Sequence, residues 1–526
     1  MERANVNSHL FMNLIGYISV LTLIGFALNQ NLIGQNQQTT ITWPTIADSP
    51  WPMLSHDPQR TGRSPYQGPQ TPTIDFALDI PDGIYSGPVL GTLGNLYFGS
   101  YYQLDNSDFF YSYSSDGEYQ WDYNLGNNRP PQSGILIDSS STIYFGSLDQ
   151  YLYALHGDGT LRWSVNVGYI TEMLSPNIDL DGNVYITNNP AGELLSISPE
   201  GVVNWQIIYD EGFLHGSTSI SPEGQTLYIP GSNTNIYAIN QDGSLLWTFL
   251  CGKVYSPPVI DNSGNLYFIP EEVPQKLYCL SADGEIRWNT VILESFSITP
   301  YSGLTIDTQG NIYIALGSNI LSYNYGGDLQ WHYIIGTNPD EYDEFSQPLI
   351  CDSDGTIYVG STYGNYYYAI SNDGVLKWQL PLDGYQVDNT GAIAENGTLY
   401  LGLHKSSFWN MNEHNLIAIH DTSGVSIRDA AELLSEFELH QNYPNPFNLV
   451  TKIEFEISKP SDVLLHIYDT KGRRVITLVD SPEYRGKCDI FWNGVDHAGV
   501  EVVSGVYIAK LEVNEYSQSI KMLVLR

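Results

Sequence analysis

The sequence predicts an all-β protein, in which an eight-bladed β-propeller of four-stranded blades precedes a small immunoglobulin-like β-sandwich. Three observations lead to this fold class. Tryptophan recurs with a period near 42 residues, the 526 residues include 48 Gly and 28 Pro, and charged residues make up only 15%. A fixed period of this length is typical of repeat architectures. Frequent Gly and Pro turns favour many short strands over helices.

The N-terminus carries a strongly apolar run, LFMNLIGYISVLTLIGFAL, at residues 10–28. Arg3 precedes it and a polar stretch follows, which is the pattern of a secretory signal peptide. We therefore assign residues 1–35 to a signal peptide and expect no stable membrane span once it is removed. An uncleaved anchor is the alternative, because 19 apolar residues approach the length that spans a bilayer.

Seven tryptophans mark a repeated unit, each after an Asp-Gly-type turn such as GDGTLRW. Each unit holds four short apolar runs, and its turns accept positive φ, as tight hairpins require. Four antiparallel strands per repeat make one propeller blade. Equivalent positions around a ring cannot all reach one active site, so we interpret the tryptophans as structural residues that pack between blades. They are Trp121, Trp163, Trp205, Trp247, Trp288, Trp331 and Trp378.

The number of blades follows from counting strands. Eight sets of the first three runs occur, but only seven tryptophan strands. The run TIDFALDI at residues 73–80 can supply the missing strand by pairing with the last set, at 389–420. That pairing would close the ring and remove exposed strand edges. We therefore expect eight blades within residues 45–425, with seven blades as the alternative.

The charge and the cysteines exclude several function classes. A net charge of −37 and a pI of about 4.3 repel nucleic acid, whose backbone needs Lys and Arg partners. The same acidity keeps an extracellular protein soluble. The four cysteines are isolated, without a CxxC pair, which excludes the usual zinc-ribbon and thioredoxin patterns.

The repeats resemble the pyrroloquinoline-quinone-like (PQQ-like) propeller repeat over roughly residues 50–425. The shared pattern is G.lyAld..G...W, and WPMLSHDPQRTGRSPYQGP at 51–69 is similar to the segment that leads into such propellers. The resemblance implies the fold. Its family includes quinone-dependent alcohol dehydrogenases, outer-membrane assembly lipoproteins and many non-catalytic surface proteins.

Catalytic motifs do not accompany the fold. The sequence has no GxSxG, HExxH, Walker loop or GxGxxG. The quinone-dependent dehydrogenases carry adjacent cysteines and a calcium beside a catalytic Asp, and neither feature can be placed here. We therefore expect no catalytic residue, no bound quinone and no other cofactor or metal. Calcium is the alternative, since the DLDGN and DSDGT turns faintly resemble calcium loops, although hairpin turns explain them better.

Two kinds of connection vary in length, whereas the other two stay short and uniform. The variable ones join the second and third strands of a blade and link successive blades, so they reach one face of an up-and-down propeller. Variable loops on a uniform scaffold commonly bind ligands. We predict an acidic and aromatic binding face there, with solvated loops that bind nothing as the alternative. Its candidates are Tyr101, Tyr102, Asp105, Asp108, Glu271, Glu272, Asp340, Glu341, Asp343, Glu344, Phe408, Trp409 and His414.

A second domain follows the propeller. QNYPNPFN is rich in turn formers, and later segments such as TKIEFEI alternate apolar and polar residues. About seven short strands with Gly turns predict a small β-sandwich. We place a linker at 426–440 and the domain at 441–526.

This tail resembles the type A C-terminal sorting domain of type IX secretion, through QNYPNPFN, IYDTKGRRVITL and the final KMLVLR. The sorting motif comprises Asn442, Tyr443, Pro444, Asn445, Pro446, Phe447 and Asn448. The resemblance implies the type IX machinery as a partner. It also implies a protein that is secreted or held at the surface of a Gram-negative-type bacterium. An ordinary accessory sandwich is the alternative.

Together these patterns predict an exported, monomeric, non-catalytic propeller that binds a protein or a glycan. Three alternatives stay open. The propeller could act on polysaccharides through paired carboxylates at 340–344, it could be a quinoprotein-like oxidoreductase, or it could be an envelope-assembly scaffold.

Overall fold

The chain divides into two compact units, Met1–Asp421 and Thr422–Arg526, in a computed structural model. The apolar run at 10–28 lies outside the described residues. In the described part of the chain, no helix is long and apolar enough to cross a membrane. The structure describes residues 37–78, 80, 83–101, 108–126, 131, 133–170, 174–188, 192–208, 217–231, 234–293, 303–334, 349–360, 366–382, 387, 390–403, 416–421, 437–469, 473–497, 499–513 and 516–526.

The described residues of the first unit form eight four-stranded antiparallel sheets. Strand β1 (Thr73–Leu78) comes first in the chain but belongs to the last sheet. The next four sheets are meanders of consecutive strands. The first contains β2 (Gly83–Leu90), β3 (Leu96–Tyr101), β4 (Asp108–Tyr113) and β5 (Tyr119–Gly126), and the second contains β6 (Leu136–Ile137), β7 (Ile143–Gly146), β8 (Tyr151–Leu155) and β9 (Leu161–Asn166). The third contains β10 (Asn177–Ile178), β11 (Val184–Thr187), β12 (Glu193–Ile197) and β13 (Val203–Ile208). The fourth contains β14 (Ser219–Ile220), β15 (Thr226–Pro230), β16 (Asn235–Asn240) and β17 (Leu245–Leu250).

Three further meanders precede the last sheet. They contain β18 (Val259–Ile260), β19 (Leu266–Phe268), β20 (Gln275–Leu280) and β21 (Ile286–Leu293); β22 (Leu304–Ile306), β23 (Ile312–Leu316), β24 (Asn319–Tyr323) and β25 (Leu329–Ile334); β26 (Ile350–Cys351), β27 (Ile357–Gly360), β28 (Tyr366–Ile370) and β29 (Leu376–Pro381). The last sheet has the order β1-β32-β31-β30, with β30 (Ala392–Ile393), β31 (Leu399–Gly402) and β32 (Leu416–His420). Thr73 lies opposite His420, and Leu78 opposite Leu416. The N-terminal strand therefore pairs with the last three-stranded set, as predicted for residues 73–80.

The position of a strand within its sheet decides how deeply it is buried. The four residues of β7 are all buried, and so are the last four of β8, because side chains on both faces contact neighbouring sheets. In the fourth strand, β9, exposed and half-buried residues alternate. The same pattern recurs in β11, β12 and β13. Sheets that pack face to face in this way form a β-propeller, which confirms the predicted all-β class.

An irregular N-terminal segment, residues 37–72, contributes to the core of the first unit. Trp51 and Met53 are fully buried, and Arg60 is only 2% exposed. Backbone hydrogen bonds join this segment to the innermost strands, for example from Leu90 N–H in β2 to the Trp51 carbonyl, at 2.8 Å. The core therefore includes residues that lie before the first strand.

The second unit has its own core within one five-stranded antiparallel sheet. Its strands are β33 (Phe437–Tyr443), β34 (Thr451–Asp469), β35 (Arg474–Trp492), β36 (Gly505–Val513) and β37 (Tyr516–Val524). The fully buried Trp492 lies at the centre of this core. Its ring centroid is 5.6 Å from that of Phe447 and 5.4 Å from that of Tyr507.

The strands of this unit are fewer and longer than predicted. TKIEFEI and DVLLHIYD, which the sequence separates, both belong to β34, and β35 likewise joins GRRVITLV to CDIFWNG. Register shifts between Ile457 and Val463 accommodate the SKPS stretch without a loop. Such irregularities bend a strand and change its partners. As a result β34 pairs with β33 through its first half and with β36 through its second.

Candidate functional site

Two carboxylates of the predicted binding face, Glu271 and Glu272, lie in the described loop between β19 and β20. The Glu271 N–H donates to the Lys253 carbonyl at 2.7 Å, and the Tyr255 hydroxyl donates to Glu271 Oε2 at 3.0 Å. A Cβ at Gly252 would lie 2.2 Å from the Glu271 carbonyl oxygen, so glycine is required for this close approach. The loop is therefore held against the connection that links two sheets.

Glu272 lies beside a lysine and two weakly acidic groups. Its Oε1 is 3.7 Å from Lys276 Nζ, which in turn is 5.9 Å from the centroid of the Tyr278 ring. Burial, followed by the hydrogen bond and charge of Glu272, raises the pKa of Tyr278 above its usual range. Burial, followed by the same charge, raises the pKa of Cys251 to about 12. Both groups are protonated at neutral pH, so neither the phenol nor the thiol is an activated nucleophile.

This loop, which we call the Glu271 loop (residues 270–276), has the chemistry of a polar binding surface. Both side chains are half-buried. A carboxylate can accept hydrogen bonds from the hydroxyl, amine or amide groups of a ligand. Lys276 and Tyr255 supply donors beside them. Among the residues that the structure describes, no three metal-ligating side chains come together.

The remaining candidates of the predicted face fall into three groups. Asp108 is only 1% exposed at the start of β4, so it presents no accessible carboxylate. Tyr101 ends β3, and nothing is described of its side chain. The others lie outside the described residues: Tyr102, Asp105, Asp340, Glu341, Asp343, Glu344, Phe408, Trp409 and His414. Of the predicted set, the described structure brings Glu271 and Glu272 together.

The repeat tryptophans bond to the next sheet along the chain. For six of them the indole N–H donates to a carbonyl beside the following Asp-Gly-type turn, at 2.7–3.1 Å. The acceptors are Gly157, Pro199, Gln241, Ala282, Tyr325 and Asn372. The turn glycine lies against the ring: at Gly159, with φ of +83°, a Cβ would be 2.6 Å from the Trp121 ring. These contacts join neighbouring blades at their outer strands.

A second repeated group was not recognised from the sequence. It consists of an Asp after the first strand of a blade and a Tyr six residues later. In the sheet of β18–β21, the Asp261 carboxylate accepts the backbone N–H groups of Ser263 and Asn265 and the Tyr267 hydroxyl, at 2.8–2.9 Å. The other pairs are Asp138–Tyr144, Asp179–Tyr185, Asp307–Tyr313 and Asp352–Tyr358, at 2.7–3.0 Å. The constant spacing is the signal that could have revealed them, and their role is to fix the turn between strands.

The QNYPNPFN motif bonds to its own domain. Asn442 Nδ2 donates to Thr451 Oγ1 at 2.8 Å, and Asn445 Oδ1 accepts the Leu523 N–H at 2.8 Å. Phe447 is buried against Trp492, whereas Tyr443 is 78% exposed. The motif therefore covers the edge of the sheet beside β37, where its tyrosine stays accessible.

A surface ion cluster on the second unit gives a pH-dependent contribution to stability. Glu454 pairs with Lys452, at 2.5 Å, and with Lys487. Hydrogen bonds from Lys452 and then Lys487 lower the pKa of Glu454 from 4.5 to about 2. Folding therefore favours the ionised form of Glu454. The stabilisation of the folded second unit by this carboxylate is complete above pH 4.5 and is lost as the pH falls towards 2.

We expect the Glu454→Gln variant to lose part of this pH dependence. Calorimetric scans between pH 5 and pH 2 should show a smaller decline in the Tm of the second unit for the variant than for the wild type. Glu456→Gln, at an exposed site two residues further along β34, is the control. Equal declines for Glu454→Gln and the wild type would contradict the assignment.

Comparison with known families identifies propeller repeats in part of the chain. A PQQ-like repeat model, described as outer membrane protein assembly factor BamB, matches residues 110–249. No curated protein matches the chain.

The chain is also similar to several solved structures. BamB from Moraxella catarrhalis is 16% identical, over 68% of this chain and 98% of its own, with a TM-score of 0.43. Virginiamycin B lyase from Staphylococcus aureus, in an inactive form with quinupristin, is 14% identical over 55% and 94%, with a TM-score of 0.41. PorZ, a surface component of the type-IX secretion system of Porphyromonas gingivalis, is 13% identical over 86% and 61%, with a TM-score of 0.37.

Proposed function

We propose that this chain is an exported, non-catalytic β-propeller of eight blades that binds a protein or a glycan through its variable-loop face. Its C-terminal unit, a small sandwich, serves as the type IX sorting domain. The protein acts outside the cell or at the cell surface of a Gram-negative-type bacterium, after the signal peptide has directed it across the inner membrane.

The observation that carries the binding role is the Glu271 loop. Two half-buried carboxylates lie there beside Tyr255 and Lys276, and the backbone bond to Lys253 fixes their position. Fixed polar groups cost little conformational entropy on binding. The neighbouring Cys251 and Tyr278 are held in their protonated forms, which supports binding rather than nucleophilic catalysis.

The acidity of the chain restricts the ligand. With a net charge of −37, long-range repulsion disfavours anionic polymers. We infer a neutral or amine-bearing glycan, or a basic protein surface. A sulfated or uronic-acid polymer is disfavoured.

A second candidate is an envelope-assembly scaffold. It is favoured by the match of residues 110–249 to a model described as an outer membrane assembly factor. In that case the partner is a protein of the envelope machinery, and the same face would contact it.

The test is a binding screen of the mature chain against a microarray of neutral, amine-bearing and sulfated glycans and against outer-membrane protein extract. Charge-assisted hydrogen bonds contribute about 1.5–3 kcal/mol each. A Glu271→Gln/Glu272→Gln double variant should therefore bind its best ligand at least about tenfold more weakly.

Asp242→Asn/Asp283→Asn is the matched control, because these acidic residues lie in the uniform Asp-Gly turns on the other face. It should bind as the wild type does. Binding to extract protein alone would favour the scaffold. Unchanged affinity in the Glu271/Glu272 variant would exclude this loop as the site.

A further inference from the structure

The N-terminal segment, residues 37–72, makes backbone hydrogen bonds to the innermost strands of several sheets at once. Its carbonyls accept N–H groups from β2, β6, β14, β18, β22 and β26, at 2.8–3.3 Å. The pairs are Trp51–Leu90, Pro52–Ile137, Pro58–Ile220, Gln59–Ile260, Thr61–Ile306 and Gly62–Cys351. A seventh sheet is reached through Asn177 Nδ2 in β10, which donates to the Pro58 carbonyl at 3.0 Å. One short stretch of chain thus bridges seven sheets.

Two buried arginines reinforce this bridge. The Arg60 guanidinium donates to the carbonyls of Leu54, Ser175, Pro176 and Thr218 and to Ser175 Oγ, at 2.9–3.2 Å. Burial lowers the pKa of Arg60 to about 9, although the nearby negative charge of Asp57 raises it in part. Arg63 donates to the carbonyls of Ile306, Asp307 and Thr39, at 3.1–3.3 Å. Buried charges require such complete hydrogen bonding, so both arginines depend on the segment staying in place.

The end of the segment connects the first and last parts of the unit. The Asp421 carboxylate accepts the N–H groups of Gln70 and Thr71 and the Thr71 hydroxyl, at 2.7–2.9 Å. The Pro69 carbonyl accepts the indole N–H of Trp378 at 2.9 Å. For the other six repeat tryptophans this acceptor comes from the next sheet. At the seventh, the N-terminal segment supplies it.

We propose that the N-terminal segment is a conformational clasp that locks the propeller from within, so that no single blade opens unless the segment is released. Its carbonyls satisfy the inner strands of seven sheets, and Asp421 fixes its end to the last sheet. Loosening the segment at one sheet therefore weakens its bonds to all of them. The blades open together as one cooperative unit.

Hydrogen exchange measured by mass spectrometry on the full chain tests this coupling. The Leu90, Ile220 and Cys351 amides donate directly to the segment, so their exchange reports on its release. In an Arg60→Ala variant we expect at least about tenfold faster exchange at all three. Leu90 and Cys351 belong to sheets that Arg60 does not bond. Faster exchange confined to residues 174–178 and 217–220, where the bonds of Arg60 lie, would overturn the proposal.

Two further variants keep the test decisive if Arg60→Ala does not fold. Asp421→Asn removes the charge at the end of the segment and should accelerate exchange at Leu90 and Cys351 as well, by a smaller factor. Arg162→Ala is the control, because its guanidinium bonds to Thr142 Oγ1 within a single sheet, at 2.9 Å. It should accelerate exchange in that sheet alone. Exchange that is accelerated only beside Asp421 in the Asp421→Asn variant would reject the clasp, whether or not Arg60→Ala folds.

Discussion

An Asp261→Ala substitution is expected to lower the free energy of unfolding of the propeller by about 3–6 kcal/mol. In the wild type, the Asp261 carboxylate accepts two backbone N–H groups, the Asn265 side-chain amide and the Tyr267 hydroxyl, at 2.7–2.9 Å. Asn265 and Tyr267 are buried, so water cannot replace the lost acceptor. Each buried donor left without a partner costs about 1–3 kcal/mol. The thermal transition of the propeller should therefore move to a clearly lower temperature.

Two other variants separate this effect from a general loss of charge. Tyr267→Phe removes one donor and should cost about 1–2 kcal/mol. Asp242→Ala removes a carboxylate whose bonds, to the Ser244 N–H and hydroxyl, are exposed, and should change stability by less than about 0.5 kcal/mol. If Asp261→Ala lost no more stability than Asp242→Ala, the repeated Asp–Tyr pairs would not stabilise the blades.

The second large effect is expected in the C-terminal unit. A Trp492→Ala variant removes a fully buried ring that packs against Phe447 and Tyr507 and whose indole N–H donates to the Val495 carbonyl at 2.9 Å. Truncation of a buried Trp costs about 3–5 kcal/mol. A small domain has about 5–15 kcal/mol in total, so this unit should unfold at a much lower temperature in calorimetry.

The neighbouring residue supplies the control. Phe491 is 63% exposed in the same strand, and Phe491→Ala should shift the transition only slightly. Comparable losses in the two variants would show that Trp492 is not the centre of the core. The propeller transition should be unchanged in both, since the two units have separate cores.

The sequence predicted much of the fold because the fold repeats. The spacing of Trp163 and its equivalents located the strands, and the unpaired run at 73–80 located the strand that pairs with β32. The role of the N-terminal segment was not predictable in this way. Its bonds use backbone carbonyls of residues such as Trp51 and Gly62, whose partners lie 39 to 289 residues away. The segment itself has no internal repeat that would indicate those partners.

The candidate site was predicted less completely. Glu271 and Glu272 were identified from an insertion between strands, because inserted residues interrupt an otherwise constant repeat. The residues that surround these two carboxylates were not predicted. Tyr255 and Lys253 belong to a different connection, and only the folded chain brings them into contact with Glu271. Asp108 shows the opposite error: an acidic residue beside a variable loop is buried where the strand begins.

The contacts of the N-terminal segment have a kinetic consequence. Gln70 and its acceptor Asp421 are 351 residues apart, so the last bonds of the propeller cannot form until the whole first unit has been synthesised. Folding rates fall as the mean sequence separation of contacts rises. The residues that emerge first are thus among the last to reach their final position. During that interval β1 has no partner strand, because β32 has not yet been made. Its unpaired edge makes the nascent chain prone to association.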